Sequence, residues 1–266
     1  MKLHILGTGN ATVTEVYNTC FLLEENGEGF LIDGGGGNEI LRKLKQIQMP
    51  LNHIHHIFLT HKHIDHFVGI IWLVRMICQK IERGEMEGEF FLYGHDEVIG
   101  LVDDICRKLI DGKAIKHLNK ELHLVVVEDG TSQNILNHEV TFFDIDSKKA
   151  KQFGFTMMLE NDRKLSCCGD EPYNPVNEKY VQNSDWLLHE AFCLYEDKEV
   201  FKPYEKAHST VKDACEFATM LGVKNLVLYH TEDKTIATRK KRYTEEGKRF
   251  FYNNLLVPDD METYNL

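Results

Sequence analysis

The stretch Ile57-Phe58-Leu59-Thr60-His61-Lys62-His63-Ile64-Asp65-His66 puts four potential metal ligands into six residues, directly behind an apolar run. A core has no use for that density. Three imidazoles and a carboxylate packed at a strand end repel one another when protonated and cost desolvation when buried unpaired. A divalent cation removes both objections. His61 and His63, two apart, converge on one ion if the turn keeps their common orientation, and Asp65 with His66 then face a second.

Around this segment the chain reads as α/β. Short apolar runs bounded by turn residues predict strands at 3–6, 20–23, 29–33, 56–60, 89–93, 124–127, 139–145, 155–159, 165–167, 186–188 and 226–229. Helical spacing predicts helices over 38–48, 67–83, 210–221 and 237–250, with one more beginning near His95. Asn38 is a candidate N-cap and Pro50 a stop. Gly7 and Gly9 read as turn glycines needing positive φ or close backbone approach, and the run Gly34 to Gly37 as a turn packed under the site or an anion-facing one.

The His-x-His-x-Asp-His run resembles the signature of the metallo-β-lactamase superfamily, and the resemblance spans nearly the whole chain. Its other marks follow in order: Leu6-Gly7-Thr8-Gly9-Asn10, Leu31-Ile32-Asp33-Gly34, Gly169-Asp170 and His230. Leu6-Gly7-Thr8-Gly9, Leu187-Leu188-His189-Glu190-Ala191 and His208-Ser209-Thr210 are similar to the ribonuclease Z branch, whose members mature tRNA 3′ ends. The resemblance implies an αββα sandwich, two mixed sheets flanked by helices, in a single domain over residues 1–266. It implies Asp170 as the carboxylate bridging two ions, His230 beside Asp65 and His66 at one, and His61 with His63 at the other.

One family histidine is missing. It should precede the aromatic-Gly-aromatic strand entry Phe153-Gly154-Phe155, yet residues 144–152 contain none. Asp146 is the first candidate replacement and Asp144 the second, since carboxylate oxygens also bind zinc; Lys148 is a poor neutral ligand. Either aspartate serves equally as a turn cap. Two zinc ions are the expected cofactors, and an oxygen-rich shell widens the choice to manganese or iron.

Two metals about 3.5–4 Å apart hold a bridging hydroxide at neutral pH and clamp a phosphoryl oxygen. Hydrolysis is the expected chemistry, with Asp65, Glu190 and His208 as catalytic candidates. The resemblance makes Glu190 the group that orients and charges His208, and His208 the group that protonates the departing oxygen. Their structural alternatives are a buried strand-end carboxylate and a neighbour of a helix N-cap. His189 reads as structural or exposed.

Composition narrows the substrate. The chain has 266 residues, 31 basic against 42 acidic, for a net charge of −11. That balance opposes a nucleic-acid partner, whose affinity rests on cationic contacts to phosphate. Ribonuclease Z enzymes carry a long Gly/Pro-rich arm before the bridging aspartate, whereas residues 155–169 read here as a short hairpin. Basic charge gathers mainly between Lys234 and Arg249, the pattern of a solvated helix face or of a surface steering phosphate. The expected activity is a ribonuclease Z-like phosphodiesterase without the tRNA-gripping arm, acting on a small or short phosphodiester, with RNA possible. The alternatives are a lactone or thioester hydrolase and a catalytically altered, non-hydrolytic relative. A homodimer is implied by the resemblance alone. The seven cysteines include no Cys-x-x-Cys pair and read as reduced. The longest apolar run, 67–74, is too short for a membrane span, and the N-terminus lacks a signal-peptide core, so a cytoplasmic protein is expected.

Overall fold

A computed structural model describes residues 1–266. Each expected strand forms, usually shifted by one to three residues at its ends. The chain divides into two compact units, Met1–Gly7, Tyr17–Glu128 and Met261–Leu266 in one, Thr8–Val16 and Asp129–Asp260 in the other.

In the first unit, β1 (Lys2–Gly7), β2 (Cys20–Glu25) and β3 (Glu28–Ile32) form an antiparallel meander. The next strands, β4 (His56–Phe58), β5 (Phe90–Gly94) and β6 (Leu122–Val126), continue the sheet in parallel. Parallel neighbours require crossovers. These contain α1 (Glu39–Gln46), α2 (Ile64–Glu82) and α3 (Asp96–Leu109). Phe67, Ile70, Val74 and Ile77 of α2 fall at helical spacing and are buried with Leu6, Leu22, Leu31 and Ile57 of the sheet. The helix begins at Ile64 rather than Phe67, so its first turn carries Asp65 and His66. Asn38 occupies the N-cap of α1 but its side chain makes no capping bond.

Glycine decides how close α2 comes. A Cβ on Gly69 would lie 1.8 Å from the Gly34 carbonyl oxygen, and one on Gly34 would lie 2.4 Å from the Ile70 nitrogen. Gly34 N–H donates to the His66 carbonyl and Gly69 N–H to that of Gly35, both at 2.9 Å. The glycine run is thus a packing turn, and its Gly34 amide is already committed. At Gly7 the close-approach reading also holds, with a Cβ placed 2.1 Å from the Asn18 oxygen.

The second unit repeats the plan. An antiparallel series, β7 (Ser132–Ile135), β8 (His138–Asp144), β9 (Phe153–Met158) and β10 (Lys164–Cys167), passes into parallel β11 (Trp186–Glu190), β12 (Asn225–Tyr229) and β13 (Asn254–Leu256). β9 and β10 form the short hairpin expected, Met158 pairing with Lys164. Two helices, α4 (Val211–Met220) and α5 (Ile236–Gly247), pack Val211, Ala214, Cys215 and Tyr243 with Leu187, Leu226 and Leu228. Thr210 caps α4 in a reciprocal box with Asp213. Finally β14 (Thr263–Asn265) returns to pair antiparallel with β1, giving each unit a seven-stranded mixed sheet.

The basic run is solvated along most of its length, with Lys234, Lys240, Lys241, Lys248 and Arg249 exposed, but not at Arg239. Arg239 is fully buried and donates to Thr231 Oγ1 (2.6 Å), the Pro258 carbonyl (3.0 Å) and Asp259 Oδ1 (3.1 Å). Arg242 pairs with Glu196 and Asp197, and Lys240 with Asp259. Much of this charge is neutralised within the fold. All seven cysteines are buried free thiols, and no helix is long and apolar enough to cross a membrane.

Candidate metal centre

Ligands gather in open α/β sheets beyond the carboxyl ends of parallel strands, and both units place their candidate residues there. In the first unit β3 ends at Ile32, and Asp33 follows with φ 58°. This buried carboxylate accepts the Thr60 N–H (2.9 Å), the Thr60 hydroxyl (2.9 Å at Oδ2) and His66 Nδ1–H (2.7 Å). His61 Nδ1 lies 2.9 Å from the same Thr60 hydroxyl. Because that hydroxyl donates to Asp33, it accepts from His61, which fixes the Nδ1–H tautomer by the bonding network. One carboxylate therefore sets the protonation of two imidazoles and turns both Nε2 atoms away from it.

The His61 Nε2 atom meets His63 Nδ1 at 2.8 Å. His66 Nε2 lies 3.3 Å from Asp65 Oδ2, and the His61 and His66 rings are 4.3 Å apart. His61, Asp65 and His66 are buried and His63 is half-buried. Burial alone would lower the His66 pKa, but the charges and hydrogen bonds of Asp65 and Asp33 together raise it well above the ordinary histidine value. Imidazole nitrogens with outer partners on Nδ1, beside a buried carboxylate, are the donor set of a zinc site with its supporting shell. The residues fit such an ion.

In the second unit, the ends of β10, β11 and β12 carry Asp170, Glu190 and His230. Gly169 turns the chain with φ 72° and His230 sits at φ 57°. Left-handed backbone at a non-glycine residue costs free energy and gathers at functional positions. Ligand atoms of Asp170, His208 and His230 lie within 4.8 Å of one another, with Asp170 Oδ2 to His230 Nε2 at 3.4 Å. The Tyr229 hydroxyl donates to the Gly169 carbonyl below them. Burial, then neighbouring thiols and Asp170, push that phenol well above its usual pKa, so it remains a donor.

Glu190 is fully buried. One of its oxygens accepts the Ser209 N–H, and Oε2 faces His208 Nδ1 at 3.6 Å. The His208 ring stacks on Phe192, centroids 4.8 Å apart and planes 9° from parallel. The carboxylate and imidazole expected as a pair are thus neighbours. His189 is structural: Nε2 accepts the Tyr173 N–H (3.2 Å) and Nδ1 donates to the Glu190 carbonyl (2.7 Å).

Asp146 lines a surface cavity together with His208. It is exposed at φ 56°, its N–H donates to Asp144 Oδ1 (2.9 Å), and its Oδ2 accepts from Asn174 Nδ2 (3.1 Å). Two supporting residues had no role assigned from sequence: Asp33 and Thr60. Asp33 alone had a sequence signal, an acidic residue between an apolar strand and a glycine run.

The class is set by the fold: the chain has the metallo-β-lactamase fold and is similar in sequence to ribonuclease Z enzymes. Ribonuclease Z of Archaeoglobus fulgidus is 24% identical over 307 residues, covering 98% of this chain and 96% of its own. Among solved structures, the metallo-β-lactamase fold protein YhfI of Bacillus subtilis superposes with a TM-score of 0.78 at 17% identity, covering 99% of this chain and 98% of its own. The short form of human tRNase Z gives 0.75 at 24% identity, with 100% and 99% covered. The chain belongs to the anti-Pycsar protein Apyc1 family, whose profile matches residues 1–253.

Proposed function

We propose that the protein is a dinuclear metal-dependent phosphodiesterase acting on small or short phosphodiesters, such as mononucleotide and dinucleotide esters or RNA ends. The observation that carries this reading is the Asp33-Thr60-His61-His66 network, which presents imidazole nitrogens in one tautomer beside Asp65. Apolar packing does not call for it.

His61, His63, Asp65, His66, Asp170 and His230 are proposed to hold two divalent ions, by the ligand order of the resembled superfamily. Such ions, zinc first and manganese or iron as alternatives, would supply a water-derived nucleophile at neutral pH and charge for the phosphoryl oxygens. The protein's own groups do the rest. Asp65 orients the nucleophile, Glu190 faces His208 Nδ1–H and stabilises the doubly protonated imidazolium, and the Nε2–H of that imidazolium faces the departing oxygen as the proton donor. Asp146 remains the candidate third ligand beside His61 and His63; its bonds to Asn174 and within its own turn favour the capping role.

The short β9–β10 connection, in place of a long arm, and the net charge of −11 support a small substrate over a gripped tRNA. A homodimer is the proposed oligomer, readable by sedimentation. The decisive experiment is elemental analysis with a substrate panel: bis(4-nitrophenyl) phosphate, cyclic and linear nucleotide diesters, a tRNA precursor with a 3′ trailer, and a lactone. Two ions per chain and diester turnover that vanishes with chelator and with Asp170→Ala are expected. His61→Ala and His66→Ala should each lose metal and stay folded, and Asp146→Ala should keep both ions if it only caps its turn. Full metal occupancy in the histidine variants, or turnover of the lactone with diesters untouched, overturns the proposal.

A further inference from the structure

The loop that lacks the family histidine carries a cation against His208 instead. Lys149 is exposed, and its Nζ lies 3.3 Å from His208 Nε2. The contact is built. Buried Glu171, the residue after Asp170, accepts the Ser147 hydroxyl at Oε1 (2.5 Å) and the Lys148 N–H at Oε2 (3.2 Å), and Ser147 Oγ in turn accepts the Lys149 N–H (3.1 Å). Asn174 ties the loop from the other side through Asp146. Stacking on Phe192 holds the imidazole plane from its own side. A lysine costs side-chain entropy to hold in place, and an imidazole nitrogen is a weaker return for it than a carboxylate. An anion drawn in beside the two nitrogens would accept from the ammonium and from a protonated His208 Nε2 together.

We infer that Lys149, positioned by Glu171, binds a non-bridging phosphoryl oxygen of the substrate beside His208. The inference rests on the phosphodiesterase reading for its substrate, but not for its anion chemistry. Beside the loop opens a cavity of about 350 Å³ lined by Lys148, Glu171, Tyr173, Asn174, Tyr204 and His208. Its aromatic and amide groups suit the organic substituent of the bound phosphoryl group. The site thereby favours an anionic ester over a neutral lactone. A lysine acts here as a point charge without fixed fork geometry, and so suits diesters of differing shape.

The test uses the metal-loaded protein and its Lys149→Met, Lys149→Arg and Glu171→Gln variants. With bis(4-nitrophenyl) phosphate, Lys149→Met should raise KM tenfold or more and change kcat less than threefold, the pattern of lost uniform binding. Lys149→Arg should recover most of the loss. Glu171→Gln should shift KM in the same direction, and adding it to Lys149→Met should cost nothing further, because it acts through the lysine. Independently of turnover, inorganic phosphate should raise the Tm of the wild type and of Lys149→Arg but not of Lys149→Met, all with equal metal content. A KM and a phosphate-induced Tm shift within twofold of wild type in Lys149→Met overturn the inference. If the wild type ignores diesters yet keeps the lysine-dependent phosphate shift, the phosphodiesterase reading has failed and the anion site has not.

Discussion

Replacing Asp33 by Asn isolates the charge that organises the first-unit ligands while keeping their geometry. Asparagine tolerates the φ of 58° at this position, and its side-chain oxygen still accepts from the Thr60 N–H and hydroxyl, so the strand end stays closed. What disappears is the carboxylate 2.7 Å from His66 Nδ1. Loss of such an outer partner lowers metal affinity about 10- to 100-fold, equivalent to about 1.4–2.7 kcal/mol. The metal-free protein offers a second reading. His66 has a folded pKa raised well above 6.5 by Asp65 and Asp33 against the opposing effect of burial. A raised pKa contributes stability that is fully present below the unfolded value and is lost as pH rises through the folded one. Urea melts of metal-free wild type between pH 6 and 9 should therefore show stability from this pair falling with pH, and Asp33→Asn should flatten that fall. Because a metal must displace the His66 proton, zinc affinity should rise with pH in the wild type and less steeply in the variant. Competition against a chromophoric chelator measures both affinities. Zinc affinity within twofold of wild type, together with an unchanged pH slope of stability, would refute the proposed role of Asp33.

Three further outcomes are expected. His208→Ala should lower kcat for an alkyl diester by about 10²- to 10⁴-fold, but much less for a nitrophenyl diester whose leaving group needs no proton; equal losses for both would remove the proton-donor role. Gly69→Ala forces a Cβ to 1.8 Å from the Gly34 oxygen, and overpacking of this kind should destabilise by about 1–3 kcal/mol or more, read as a lower urea midpoint. Burial pushes the thiols of Cys78, Cys106, Cys193 and Cys215 up to about 12, so native protein at pH 8 should resist iodoacetamide and label at all seven cysteines only in denaturant. Rapid native labelling would show these sites to open readily.

The strands and helices that the sequence revealed were those whose own residues carry the pattern. Buried β12 and amphipathic α1 advertise themselves through apolar periodicity. By contrast β7 and β14 are polar, largely exposed edge strands, Ser132–Ile135 and Thr263–Asn265, ordered by a neighbour's unpaired backbone rather than by a face of their own, and β13 has only three residues, too few to show a period. The early start of α2 escaped because its first turn holds Asp65 and His66 where a helix pattern looks for apolar residues. Arg239 was read among a solvated run because charge is visible in sequence and its burial partners, at Thr231 and Pro258, are not. The site divides the same way. His61, His63, Asp65 and His66 stand out by local density, and Glu190 and His208 by order along the chain. Lys149 and Glu171 gain meaning only when a loop at 146–149 meets residues brought from 171 and 208.

The pairing of Leu3 with Tyr264 sets an order on assembly at the ribosome. The backbone edge of β1 opposite β2 is closed by a strand synthesised after the whole of the second unit. Until then, a nascent first sheet presents an open edge able to recruit strands from other chains, and its closure waits for a contact of very high sequence separation. Pulse-labelling of nascent chains halted before residue 261 should therefore find β1 exchanging its amides faster than β2 and β3, with protection arriving only once Thr263–Asn265 clear the exit tunnel.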